Sequence, residues 1–115
     1  MAESRNLSTP DETRKFDKGQ IEIVEINGQM VGRATFEPGW KWSECVKPIA
    51  GTDSCQVEHF GFGVQGNMTV QFDDGTSMEI GPGDVVHIPA GHDAWITGDE
   101  TCVFLDMMGA ANYAK

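Results

Sequence analysis

Gly81-Pro-Gly-Asp-Val-Val-His-Ile-Pro-Ala-Gly-His-Asp-Ala-Trp95 is the stretch whose reading decides the fold. Gly81-Pro82-Gly83 has turn chemistry, Val85 to Ile88 is a β-branched run interrupted by His87, and Pro89 with Gly91 ends the strand where His92 and Asp93 emerge. The order turn, short buried strand, turn, polar cluster puts side chains at the mouth of a β-barrel.

The same rhythm extends in both directions. Ile21, Ile23 and Ile26 lead into Asn27-Gly28, the strongest short hairpin signal, and then into Met30 to Phe36. Trp40-Lys41-Trp42 alternates two large aromatics with a lysine, and Ser43 to Ser54 reads as a loop. Val57 to Val64 follows as a glycine-punctuated strand. Gly66-Asn67 turns into Met68 to Phe72, and Asp73-Asp-Gly-Thr76 turns into Ser77 to Ile80. Ala94 to Thr97 and Cys102 to Met107 complete about nine short strands. That spacing predicts an all-β double-sheet jelly roll, which leaves few open edges.

Three segments follow. Residues 1–19 are a polar arm without a periodic apolar face, able to add an edge strand or wrap a neighbouring subunit; 20–108 form the β-domain; and 109–115 are a short tail. A chain of 115 residues has room for one domain with a core of its own.

The net charge of −10, from 18 acidic against 8 basic residues, excludes electrostatic binding of nucleic acid or anionic lipid. No apolar run approaches the about 20 residues of a spanning helix. Three cysteines at no repeating interval and an N-terminus lacking an apolar signal core predict a reduced, cytoplasmic setting. Gly61-Phe-Gly-Val-Gln-Gly66 matches a dinucleotide-binding signature by letter, but it lies in a strand pattern with no helix to follow, so no nucleotide is expected.

Gly83, Pro89 and Gly91 resemble the second motif of the cupin superfamily, in which a histidine follows the last glycine. That histidine position falls at Ala94, and this chain has His92 instead. The first motif, counted back from Gly66, puts His59 where the family commonly has glutamate, and Asp53 and Cys55 where it has histidines. Pro38 to Glu44, Thr52 to Cys55, His59 to Gly61 and Pro89 to Trp95 look like a subgroup of small cupins. The resemblance, over about residues 28 to 107, implies a cupin-type jelly-roll barrel, a homodimer and a small-molecule ligand in the lumen.

Its chemistry turns on Cys55, His59 and His92. A transition-metal centre needs three or four N, O or S donors and an open position. These three suit a divalent ion such as zinc, or iron if Glu58 or Asp93 joins as carboxylate ligand or acid/base. The other reading has Cys55 packed as a small hydrophobe and the histidines held by backbone carbonyls, in a metal-free binding or sensory module. His59 and His92 are the preferred pair, whereas His87 belongs to the surface or a pocket wall. Trp95, Trp42 and Phe62 are expected to line the substrate pocket. Oxygenase, isomerase and lyase chemistry stay open.

Overall fold

The computed structural model describes residues 2–114; Met1 and Lys115, the ends of the expected arm and tail, lie outside the described residues. Among the described residues there are nine strands: β1 (Glu12–Phe16), β2 (Gly19–Ile26), β3 (Gln29–Phe36), β4 (His59–Gln65), β5 (Asn67–Phe72), β6 (Ser77–Ile80), β7 (Val85–Ile88), β8 (His92–Thr97) and β9 (Cys102–Asp106). They form a six-stranded sheet of order β1-β2-β3-β9-β4-β7 and a three-stranded sheet of order β6-β5-β8. The strand pairings are all antiparallel, and one isolated parallel bridge joins Gly63 and Pro82.

Local chemistry explains much of this frame. Asn27 (φ 47°) and Gly28 (φ 82°) both take positive φ between the closing pair Ile26 and Gln29. Two such residues make the hairpin turn whose twist matches its flanking strands. At the β5–β6 turn, Asp74 accepts hydrogen bonds from both the backbone and the hydroxyl of Thr76.

The sheets face each other across one apolar core. Ile21, Ala34, Phe36 and Phe104 come from the larger sheet, and Met68, Val70, Ala94 and Ile96 from the smaller. Strands β3, β8 and β9 alternate, so that one face is buried while the other is not. Fully burying a side chain such as Ile23, which is completely inaccessible, contributes about 1.5–3 kcal/mol.

One segment differs from the sequence reading, and the polar arm takes one of the two courses expected of it. Residues 43–54 are not a plain loop. They contain two single-turn helices, α1 (Trp42–Cys45) and α2 (Lys47–Ala50). Asp93 Oδ1, from β8, accepts the Ser43 N–H at 3.1 Å and satisfies a donor at the start of α1. That partner lies 50 residues away, so no local pattern announces it. Trp40-Lys-Trp42 accordingly adds only a single bridge, Lys41 to Trp95, and no strand.

Residues 12–16, inside the polar N-terminal segment, are the edge strand β1 paired with β2. Its side chains are polar because an edge strand needs few apolar contacts, and charge there discourages further pairing. Arg14 nonetheless turns inward and donates to the carbonyls of Ala110 and Tyr113, both at 2.8 Å. It ties down the C-terminal turn, whose Ala110 and Tyr113 are buried. No described helix is long and apolar enough to cross a membrane.

Candidate metal centre

Three buried side chains converge between the sheets, Cys55 and His59 from one stretch of chain and His92 from farther along: each offers one ligand atom within 4.8 Å of the others. The backbone brings two of them side by side. Cys55 N–H donates to His92 O at 2.7 Å and His92 N–H to Cys55 O at 3.2 Å, an isolated antiparallel bridge at the edge of β8. Gly91, at φ 91°, makes the turn just before it; a Cβ there would stand 2.9 Å from an Asp73 carboxylate oxygen. His59 arrives from the other sheet, at the start of β4. Its side chain approaches Cys55, with Nε2 3.8 Å from Sγ.

Both imidazoles are oriented by their outer nitrogens. His59 Nδ1–H donates to Asp106 Oδ2 at 2.6 Å, and His92 Nδ1–H donates to the Pro89 carbonyl at 2.8 Å. These bonds fix the tautomer in each neutral ring, leaving an Nε2 lone pair as the free donor site. Asp106 is itself held, because its Oδ1 accepts the N–H groups of Met108 (3.0 Å) and Gly109 (2.9 Å). Gly109 is needed for that approach; a Cβ there would come within 2.7 Å of both the Glu58 carbonyl and His59 Nδ1.

Burial and charge act against each other here. Burial alone pushes the Cys55 thiol up, but hydrogen bonds and charge from His59 and His92 outweigh it and bring it down from 9.0 to about 6. Burial pushes His59 down, and Asp106 and Cys55 more than offset that, raising it from 6.5 to about 9. Burial likewise works against the Asp106 carboxylate, yet the bond from His59 leads the effects that hold it below its ordinary value. The metal-free state is therefore a thiolate and an imidazolium beside a carboxylate. Tyr113, edge-on to His59 with ring centroids 5.5 Å apart, is kept as a phenol by burial.

The donor set suits a transition-metal ion. In a tetrahedral zinc site, sulfur and nitrogen ligands lie roughly 3.5 Å from each other. The Cys55–His59 pair, 3.8 Å apart, requires only a slight contraction, and all three donor atoms lie within 4.8 Å of one another. One thiolate and two imidazoles leave a fourth position open, as catalytic zinc sites do.

The other expected site residues do not join this group. Glu58 immediately precedes His59, so strand alternation turns it outward; half-exposed, it pairs with His87 on the surface. It is neither a ligand nor an acid/base in the lumen. Asp93 follows His92 on β8 and is turned away for the same reason, where it holds Ser43. Trp95 shares that outward phase. Lys41 Nζ lies 5.4 Å from its ring centroid, and the ring belongs to a groove outside the sheet. Phe62 pairs with Val85 and Leu105 on the outer face of β4. Trp42 does line the inner cavity, together with Trp40.

Asp106 was not among the expected site residues, although a signal for it exists. Cys102, Phe104 and Asp106 share the inward phase of β9, and an acid at an inward position calls for a partner. Tyr113 carries no such signal, since it lies outside any periodic element.

The profile of the Cupin domain family matches residues 46–108. The chain belongs to the cupin family. No curated protein matches it. Among solved structures, it is similar to a protein of unknown function from Rhizobium leguminosarum (15% identity, TM-score 0.65, covering 94% of this chain and 96% of that one). It is also similar to the polyketide cyclase RemF from Streptomyces resistomycificus (18%, TM-score 0.62, covering 92% and 78%). A third likeness is to oxalate decarboxylase from Bacillus subtilis (20%, TM-score 0.59, covering 90% of this chain and 29% of that one). At these identities the likeness shows the jelly-roll fold.

Proposed function

We propose that this cupin binds a divalent transition-metal ion, zinc or iron, through Cys55, His59 and His92, and acts on a small molecule at the position left open. The observation that carries the reading is the orientation of the two imidazoles. Asp106 and Pro89 each hold an Nδ1–H, so both rings turn their remaining nitrogen toward the Cys55 thiolate. The three donor atoms therefore face one point, as the ligands of a metal ion must.

When bound, the ion supplies Lewis-acid chemistry, or redox chemistry if it is iron. The residues of the chain provide the rest. Asp106 orients His59 and compensates positive charge beside it. Tyr113 closes the site from the C-terminal turn, keeping its proton at the phenol oxygen. Ile21, Val70 and Ile88 line the cavity and exclude water. Likeness to a polyketide cyclase and an oxalate decarboxylase supports a small-molecule reaction of oxygenase, isomerase or lyase type. The proposal includes a homodimer in a cytoplasmic setting. Exposed Phe60, Val64 and Val85 on the outer face of the larger sheet are the surface a second copy would cover.

Elemental analysis of untagged protein tests this reading. The expected result is close to one ion per chain, lost when His59 and His92 are both replaced by alanine. Metal-free protein whose stability is unchanged by a chelator would overturn it and favour a metal-free binding module.

A further inference from the structure

Cys55, His59 and His92 are 2%, 8% and 3% exposed, so an ion or a substrate reaches them only if a wall of the site moves. The walls are not equally fixed. The strands are hydrogen-bonded to one another across each sheet, whereas residues 108–114, which follow β9, pair with no strand among the described residues.

Two cavities show what this turn separates. His59 and His92 line the inner cavity, between the sheets. Cys55 lines an outer one, formed between the α1–α2 segment with Val57 on one side and Asn112, Tyr113 and Ala114 on the other. Exposed Gln56 and Asn112 put the outer cavity at the surface. The residues that line both cavities are Trp42 and Tyr113. Trp42 is fixed, being the first residue of α1 and packed in the core. Tyr113 is buried edge-on to His59 and Phe16, with ring centroids 5.5 and 5.9 Å away, but it is carried by the turn. Whatever moves the turn moves this partition.

Few side chains hold the turn in place. At its root, Asp106 Oδ1 accepts the Met108 and Gly109 N–H groups. The bonds from the Asn112 and Tyr113 N–H groups to the Gly109 carbonyl stay within the turn. At its tip, a single atom, Arg14 Nη1, donates to the carbonyls of both Ala110 and Tyr113. Glu12, two residues earlier on the same face of β1, orients the guanidinium by accepting from Nε at 2.7 Å and from Nη2 at 3.1 Å. The root bonds belong to a residue that also holds His59, so the tip is where the turn can be released with the donors still in place.

We infer that residues 109–114 are a lid over the metal centre, latched by Arg14, whose opening joins the outer cavity to the donors and admits the ion and the substrate. The inference deepens the metal reading and rests on it for what passes the lid, while the uncovering of Cys55 does not depend on a metal. Opening is a local unfolding that takes Ala110 and Tyr113 out of the core and leaves the strand ladders intact.

The test compares the full chain with Arg14→Ala and Arg14→Lys. In metal-free protein, iodoacetamide is the probe and mass spectrometry locates the label. Cys55 alkylation is expected to accelerate about tenfold or more in Arg14→Ala and by less in Arg14→Lys, with Cys102 on β9 unchanged. In a second arm, cobalt uptake and its removal by a chelator are followed through thiolate-to-cobalt absorption. Releasing a latch raises both rates by one factor and leaves the dissociation constant unchanged. A changed constant with only one rate altered gives Arg14 a merely structural role and overturns the lid, as does unchanged Cys55 alkylation. Hydrogen exchange of the unaltered chain decides the matter where a variant does not fold. The Asn112 and Tyr113 amides are expected to exchange about 100-fold faster than those of the β3–β9 ladder, and equal rates overturn the lid. If cobalt binds and its rates ignore Arg14→Ala, only the lid fails. If Cys55 alkylation responds in a chain that takes no cobalt, only the metal reading fails.

Discussion

Among the described residues, two imidazole–carboxylate pairs share the adjacent positions Glu58 and His59 and differ in almost every consequence. His59 and Asp106 meet inside the jelly roll at 2.6 Å, with side chains 10% and 3% exposed. His87 and Glu58 meet on the outside, each half-exposed. Glu58 and His59 are neighbours, and β4 pairs with β7, so the two pairs straddle the same strands. The inner pair cannot fall back on water when it loses a partner, whereas the outer pair can.

The sharpest way to break that comparison is to remove each acid. Asp106→Ala leaves a buried imidazole and the N–H groups of Met108 and Gly109 without an acceptor, and is expected to cost about 3–5 kcal/mol in urea unfolding. Glu58→Ala is expected to cost under about 1 kcal/mol in the same assay. Equal losses would mean that burial does not separate the pairs.

Metal affinity sharpens the contrast. Asp106→Asn keeps the size of the side chain but weakens its hold on the His59 ring, and is expected to lower affinity by about 10–100-fold in a competition with a chromogenic chelator. Asp106→Glu is expected to recover part of it. His87→Gln should leave affinity unchanged, because that ring faces solvent.

A pH titration compares the inside of the molecule with itself. In metal-free protein, thiolate absorbance from Cys55 is expected to appear near pH 6, whereas that of Cys102, which burial raises, appears near pH 11. The sign for stability follows from the direction of each shift. Cys55 is depressed, so the stability its thiolate contributes is complete above 9.0 and is lost as pH falls through about 6. His59 is elevated, so its contribution is complete below 6.5 and is lost as pH rises through about 9. Asp106→Asn should move the Cys55 midpoint upward, since the imidazolium that lowers it loses its own support.

The smallest effect on fold stability is expected on the outer sheet face. Val85, 69% exposed, tolerates Val85→Asp within about 0.5 kcal/mol. If a second copy covers this face, sedimentation shows the variant dissociating while its urea midpoint holds. Unchanged sedimentation would remove this face from the proposed dimer.

The candidate site was legible in the sequence where alternation and turn chemistry operate. His92 replaces a histidine position at Ala94, and the two residues share one face of β8 because side chains repeat every second residue. The displaced imidazole therefore still enters the lumen. The same rule applied to Glu58 and Asp93 turns both away, since each adjoins an inward histidine. Asp106 was visible only as an acid in the inward phase of β9, without any hint of its partner 47 residues earlier. Tyr113 and Arg14 could not be read at all, because nothing periodic marks a side chain that crosses from an edge strand to a C-terminal turn.

Glycine turns, strand periodicity and charge balance belong to neighbouring residues, and the chain alone determined an all-β jelly roll and the candidates Cys55, His59 and His92. Which donors meet, which acids turn outward and which side chain holds the C-terminal turn was decided only when the two sheets closed on each other. The physical reason is distance. Turn and strand preferences act over a few residues, but burial, hydrogen-bond partners and shifted pKa values depend on groups that sequence order keeps far apart.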